Sequence, residues 1–321
     1  MKKMISICDT DLKVCPIGLG TVGAGLDWDG AEANRIFDAY LDMGGNLIDS
    51  AHVYSDWVPP EVARSERVVG DWIGSGGKRS QFVLITKGGH PDMTGPSPDA
   101  HISRMAAKDM AADLDASLKQ LRTDYIDIYF YHRDDSSQPV EQLIEVMEGF
   151  VKAGKIRYYG CSNWKAARMR EADAYCKEKG YRSFVANQAL LNLGLKYMKP
   201  FPDDTMESFD DDMFAYHKSV PGNLAMPYMG VCSGFFHLYL AGGIDAVKNS
   251  PYNTQGNCKL AERLSQLMKQ HNASVSQLLL AFFATQEFAC VPLYGPQTVE
   301  HLQDAMGARD LVLRSADFIL E

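Results

Sequence analysis

The chain has 321 residues, of which 46% are hydrophobic and 23% charged, with a formal net charge of -9 and seven cysteines. The acidic balance argues against a broad nucleic-acid or anionic-membrane surface, and scattered cysteines without C-x-x-C or Cys/His spacing argue against zinc, thioredoxin chemistry or a disulfide scaffold. MKKMISICDTDLK has no apolar core and no run of about eighteen apolar residues follows, so the expectation is a soluble cytoplasmic protein.

The dominant rhythm is a short apolar strand followed by a helix of period 3.6. Residues 4–15 read as a hairpin and 16–20 as the first strand. The first helix carries Ile36, Phe37, Tyr40 and Leu41 on one face and stops at Gly44-Gly45. Strand two is 46–49, with a helix over roughly 61–74. Strand three is 82–86, and its helix aligns Met110, Leu114, Leu118 and Leu121. Strand four is 126–131. Pro139 then opens a helix with Val140, Leu143, Ile144, Met147 and Val151 inward, ended by Gly154. Strands five to eight fall at 156–161, 184–187, 224–228 and 289–293, with helices near 164–179, 204–219, 258–271 and 298–307. Ser274-Val275-Ser276-Gln277 is a capping box that opens one further helix.

Eight strand–helix repeats without a break in composition predict one domain over 1–321. Its fold would be an α/β (β/α)8 TIM barrel with an N-terminal β-hairpin; a doubly wound sheet is the competitor. Segments 189–206 and 242–257 exceed normal connections. In a barrel they are either extended loops on the C-terminal face or ordinary surface insertions. GLGTVG (18–23) satisfies G-x-G-x-x-G, but the chain continues as loop through Gly30, so no helix starts within the motif to meet a pyrophosphate.

Asp49, Tyr54, Lys87 and His132 stand at or just after the ends of strands two, three and four. Taken singly they read as a turn cap, a loop aromatic, a solvated lysine and a satisfied histidine. Together, at neighbouring strand ends of a barrel, they read as a site. A lysine held against the phenol by a carboxylate would lower a tyrosine pKa of about 10. An imidazole would orient a carbonyl, and hydride would have to come from a nicotinamide. A Schiff-base lyase using Lys87 is a competing chemistry. No metal is expected, because His132 lacks His and carboxylate partners at other strand ends.

The strings LIDSAHVYS (47–55), LITKGG (84–89), LRTDYIDIYFYHRDD (121–135), KIRYYGCSNW (155–164), VANQ (185–188), PYMGVCSGFF (227–236) and VPLYGPQT (291–298) carry a resemblance. In order and spacing the chain resembles the aldo-keto reductases from about Leu12 to Leu302. The resemblance implies an NAD(P)(H)-dependent oxidoreductase acting on an aldehyde, ketone or sugar carbonyl, or on the alcohol. The same fold also serves as a cofactor-sensing regulatory subunit. It implies Tyr54 as general acid/base, Lys87 and Asp49 as its tuning partners, and His132 as orienter. Ser162, Asn163 and Gln188 would hold the carboxamide and Tyr228 would stack on the nicotinamide ring. Thr21 and Asp49 would border the cofactor; Gly234, Gly295, Gln297 and His301 would follow its phosphates.

Relatives place arginine near the position of Gln297 and another basic residue near His301, whereas this chain has no Lys or Arg between Ala289 and Gly307. NAD is therefore expected to serve at least as well as NADP. Asp304-Ala305 also replaces the family's usual Glu-Asn. Trp28, Trp57 and Arg133 are the expected substrate contacts, although the tryptophans equally suit packing of loop on loop. The expected partner is a small carbonyl or alcohol, with no nucleic acid and no membrane; neither the substrate nor the oligomeric state follows from these residues.

Overall fold

The computed structural model describes residues 4–76, 79–201 and 203–320. Ile5–Ser6 (β1) and Lys13–Val14 (β2) form the expected antiparallel hairpin. The eight strands of the main sheet are Gly18–Gly20 (β3), Leu47–Asp49 (β4), Val83–Gly88 (β5), Ile126–Tyr131 (β6), Ile156–Ser162 (β7), Ala186–Gln188 (β8), Leu224–Ala225 (β9) and Leu293–Tyr294 (β10). Most of their residues are buried, as parallel strands covered on both faces require.

The order is β10-β3-β4-β5-β6-β7-β8-β9, with every neighbouring pair parallel. The two ends of this order meet. The Val291 amide donates to the Ala225 carbonyl at 2.8 Å and the Leu293 amide to the Pro227 carbonyl at 2.9 Å. A closed sheet has no edges, so the arrangement is the (β/α)8 barrel and the doubly wound alternative falls away.

Helices Gly30–Asp42 (α1), Arg64–Gly76 (α2), Ala107–Gln120 (α3), Val140–Lys152 (α4), Ala166–Lys179 (α5), Asp211–Ser219 (α6), Phe235–Gly242 (α7), Gln255–His271 (α8), Val275–Ala281 (α9) and Val299–Met306 (α10) surround it. The anticipated Ser274–Gln277 capping box opens α9, and α1 starts from Asp29, whose side chain accepts from the Gly30 amide. Gly44, at φ +79°, takes the left-handed conformation that ends α1.

Several boundaries differ from expectation. Strands seven and eight pair over only two residues each, because Pro227 and Pro292 have no N–H to continue a ladder. Helix α6 starts at Asp211 rather than near 204, since the Asp210 side chain caps the Met213 amide. Helix α7 was not anticipated. Its segment, FFHLYLAG, has little helical periodicity, and it buries Phe235 and Phe236.

Gly18, the first glycine of the GLGTVG match, belongs to β3. A Cβ there would meet Leu293 and Leu47 at 2.8 and 2.9 Å, so this glycine serves barrel packing. One core layer lies between sheet and helices, and a second fills the barrel with Leu47, Val83, Ile85, Ile128, Phe130 and Val291. Ile7, Leu12 and Val14 of the hairpin segment join that inner layer. The N-terminal end of the barrel is thereby plugged and the mouth at the strand C-termini is left for chemistry.

The two long segments meet above that mouth. The Lys199 amide donates to the Pro251 carbonyl at 3.0 Å, and Asn257 Nδ2 to the Gly194 carbonyl at 3.2 Å. No helix among the described residues is long and apolar enough to cross a membrane.

Candidate active site

Parallel register sets the first part of the site. Gly20 pairs with Asp49 and Asp49 with Ile85, so Lys87 lies two residues further along the neighbouring strand. Lys87 Nζ lies 2.8 Å from Asp49 Oδ2, 2.8 Å from the Ser50 carbonyl and 2.8 Å from the Tyr54 hydroxyl. Tyr54 is 3.4 Å from Asp49 Oδ2, and Gln188 Nε2 holds Asp49 Oδ1 at 2.7 Å. All three donors of the ammonium are engaged. The His132 ring stands edge-on to Tyr54, with centroids 5.7 Å apart. Residues from three strands and one loop thus form a single hydrogen-bonded cluster with an imidazole beside it.

Burial raises the Tyr54 phenol well above its ordinary range, and the Asp49 carboxylate pushes the same way. The anticipated lowering by Lys87 is therefore not the balance in the resting site, where the ammonium is shared with Asp49 and Ser50. Burial lowers Lys87 against the opposing pull of Asp49. It also holds His132 well below its ordinary value, and therefore neutral.

The cluster floors a cavity of about 690 Å³. Of the anticipated residues, Thr21, Asp49, Tyr54, Trp57, His132, Arg133, Ser162, Asn163, Gln188, Tyr228 and Gly295 line it. Trp57 is 46% exposed at the rim. Arg133 is tied to Asp203 at 3.1 Å and Thr205 at 3.0 Å, so its charge is paired.

Asn163 has φ +60°. Its Nδ2 donates to the His132 carbonyl and Ser162 Oγ, while its Oδ1 accepts from the Tyr228 hydroxyl at 2.7 Å and the Glu207 amide. Every site on that amide already has a partner. Thr21 is likewise engaged, with the Asp49 carbonyl and Ser65.

Trp28 takes the second of its two expected roles, packing loop on loop, and is not at the substrate cavity. It is 4% exposed and does not line the cavity; its ring packs edge-on against Phe37 and its Nε1 donates to the Pro296 carbonyl at 2.9 Å. It fastens the loop after β10 to the first strand–helix loop. Gly234, Gln297 and His301 also stand outside the cavity wall. Gly234 (φ +76°) follows Cys232 and Ser233, both also left-handed, at the start of α7. Gln297 and His301 are exposed, the latter in the first turn of α10.

The sequence reading missed His90, Phe201, Met206 and Tyr294, which also line the cavity. His90 follows the LITKGG string by one residue. Phe201 and Met206 sit in the 189–206 segment, whose length was the available signal.

The aldo/keto reductase family model matches residues 16–319. An uncharacterized oxidoreductase of Bacillus subtilis is 26% identical over 305 residues, covering 95% of this chain and 90% of the relative. Norsolorinic acid reductase A of Aspergillus parasiticus is 28% identical over 312 residues, covering 94% and 75% respectively. An aryl-alcohol dehydrogenase [NADP(+)] of Phanerodontia chrysosporium is 26% identical over 330 residues, covering 94% and 80%. With a closed barrel, a lysine-centred cluster at its mouth and a family match over nearly the whole length, this chain belongs to the aldo/keto reductase family.

Proposed function

We propose that the protein is a nicotinamide-dependent oxidoreductase that interconverts a neutral aldehyde or ketone and its alcohol. The observation that carries this reading is Lys87 Nζ bridging Asp49 and the Tyr54 hydroxyl, 2.8 Å from each, beneath a cavity that also presents a neutral imidazole.

Tyr54 is the proton donor in reduction. Its raised pKa keeps the phenol protonated at neutral pH, and the adjacent ammonium stabilises the phenolate left after transfer. Lys87 and Asp49 are positioning and tuning groups. His132 donates from its open nitrogen to the carbonyl oxygen and orients it. The pairing of Arg133 with Asp203 favours an uncharged substrate, and Trp57, Phe201 and Met206 supply its apolar wall.

A bound nicotinamide supplies the hydride. The residues present fit it through complementary leftovers. Once the internal bonds are satisfied, the Ser162 hydroxyl proton and Gln188 Oε1 have no partner among the described residues, a donor and an acceptor for the two ends of a carboxamide. Tyr228 would flank the ring. In the left-handed run at 232–234 the Cys232 and Gly234 amides already donate to the Met229 and Val231 carbonyls, which leaves the Ser233 amide, at the cavity wall, for a pyrophosphate. Toward the adenosine end, Gln297 and His301 are joined by Glu300 in the first turn of α10, while Asp304 turns away to Ser274 Oγ at 2.7 Å. A 2′-phosphate would meet a carboxylate and no lysine or arginine from this loop, so NAD serves at least as well as NADP.

The reading is tested with Tyr54→Phe. Loss of a positioned proton donor should reduce kcat on a carbonyl panel by about 10²–10⁴-fold while NADH still quenches protein fluorescence with near wild-type affinity. Turnover unaffected by the substitution overturns the assignment.

A further inference from the structure

The two imidazoles in the cavity are not equivalent. His90 and His132 lie edge-on with ring centroids 4.7 Å apart, and both line the cavity. His90 Nδ1 is 2.9 Å from the Pro91 carbonyl. A carbonyl only accepts, so Nδ1 carries the proton of a neutral ring and Nε2 is left as a bare acceptor. Burial, reinforced by Arg133, holds His90 down at about 4, so the ring stays neutral in the working range of pH. Nε2 has no hydrogen-bond partner among the described residues and is not among the sealed polar atoms; the ring lines this cavity and a second one bounded by His52, Asp92 and Arg104.

His132 has the opposite arrangement. Its Nδ1 is buried without a partner among the described residues. A buried bare lone pair costs less than a buried N–H left unsatisfied, so the proton belongs on Nε2. The cavity therefore presents one donor and one acceptor side by side. A lone carbonyl uses only the donor.

We propose that His90 is a specificity-determining residue that accepts a hydrogen bond from a hydroxyl adjacent to the reacting carbonyl, making the preferred substrates hydroxy-carbonyl compounds. This rests on the oxidoreductase reading above and narrows its substrate class. The apolar wall of Trp57, Phe201 and Met206 suits an aromatic body, so the members to compare are 2-hydroxybenzaldehyde, benzaldehyde and 2-methoxybenzaldehyde. The methoxy compound has similar bulk at the same position but no proton to give. A site built to bind a hydroxyl discriminates strongly against analogues that lack it.

The test measures kcat/KM for the three aldehydes with NADH in wild type, His90→Phe and His90→Gln. The ratios are taken within each variant, so a general loss of activity cancels. In wild type the hydroxy compound should exceed the methoxy compound about tenfold or more. His90→Phe should bring the ratio to about one, and His90→Gln, which keeps an acceptor near the position of Nε2, should restore it in part. A wild-type ratio near one overturns the inference, as does a preference that survives in His90→Phe. Should His90→Phe fail to fold, His90→Leu provides the same comparison. Absence of turnover on all three aldehydes by cofactor-binding wild type overturns the oxidoreductase reading itself, a result distinct from a failed ratio.

Discussion

The rim formed by β4, β5 and β6 and the rim formed by the loops after β9 and β10 belong to one barrel and differ in how their polar side chains are held. On the first rim Asp49, Lys87 and His132 are buried, and Lys87 and Asp49 are fixed by short hydrogen bonds to one another and to their neighbours. On the second, Gln297 and His301 face solvent. The first is preorganised before any ligand arrives, which is what a reacting centre requires. The second is anchored from beneath, by Trp28 on the Pro296 carbonyl, by the Tyr294 hydroxyl on the His301 carbonyl and by Ser274 and Gln277 on Asp304. Under the proposed function, chemistry would rest on the buried network and selectivity for the far end of a cofactor on the side chains of the exposed loop.

The largest effect that would sharpen this contrast is expected at Lys87. In Lys87→Met the Asp49 carboxylate stays buried but loses its cation. Breaking such a pair costs about 3–5 kcal/mol, which thermal or urea unfolding should register alongside loss of turnover. A stability within about 0.5 kcal/mol of wild type would show that the rim is less dependent on its ion pair than its burial indicates.

The next effect comes from acid. Burial holds His90 and His217 down at about 4, against about 6.5 in an unfolded chain. The unfolded state therefore binds more protons as pH falls. Stability that is full above about 6.5 is lost on the way down through about 4, with about 2 kcal/mol per histidine gone by pH 5. His52 works the other way: burial lowers it, but Glu66 at 3.4 Å, Asp113 and Asp56 together outweigh that and raise it. The Tm should fall between pH 7 and pH 5, and more shallowly in His217→Phe. A flat wild-type profile would contradict the neutral, buried state assigned to these rings.

The smallest effect belongs to the exposed rim. Fluorescence titration should give NADH an affinity at least equal to that of NADPH. Gln297→Arg should shift the ratio toward NADPH by about tenfold, equivalent to about 1.4 kcal/mol, without altering Tm. A tenfold or greater preference for NADPH in wild type would mean that a cation from elsewhere reaches this loop.

The strand ends were legible because a parallel barrel leaves few choices. Once Leu47-Ile48, Val83–Thr86 and Ile126–Tyr131 are read as neighbouring strands, Asp49, Lys87 and His132 must share a rim. Trp28 was less legible, since a tryptophan in a long loop has the same sequence signature whether it covers a ligand or pins another loop. Only Phe37 beneath it and the Pro296 carbonyl beside it decide. Helix α7 was hidden for a related reason. An apolar segment covered on most sides shows little periodicity.

By itself the sequence determined the alternation of strands and helices, which suits a barrel or a doubly wound sheet, and the identity of the polar groups at the strand ends; closure of the sheet decided for the barrel. Tertiary structure decided their states. The direction of the Tyr54 shift depends on how deeply the phenol is buried and how far Lys87 is committed to Asp49 and Ser50. The opposite tautomers of His90 and His132 depend on a carbonyl at 2.9 Å from one ring and the lack, among the described residues, of a partner for the buried nitrogen of the other. Residue order specifies which groups are present. Their protonation depends on desolvation and on distances of a few ångströms, and these exist only once the chain has closed on itself.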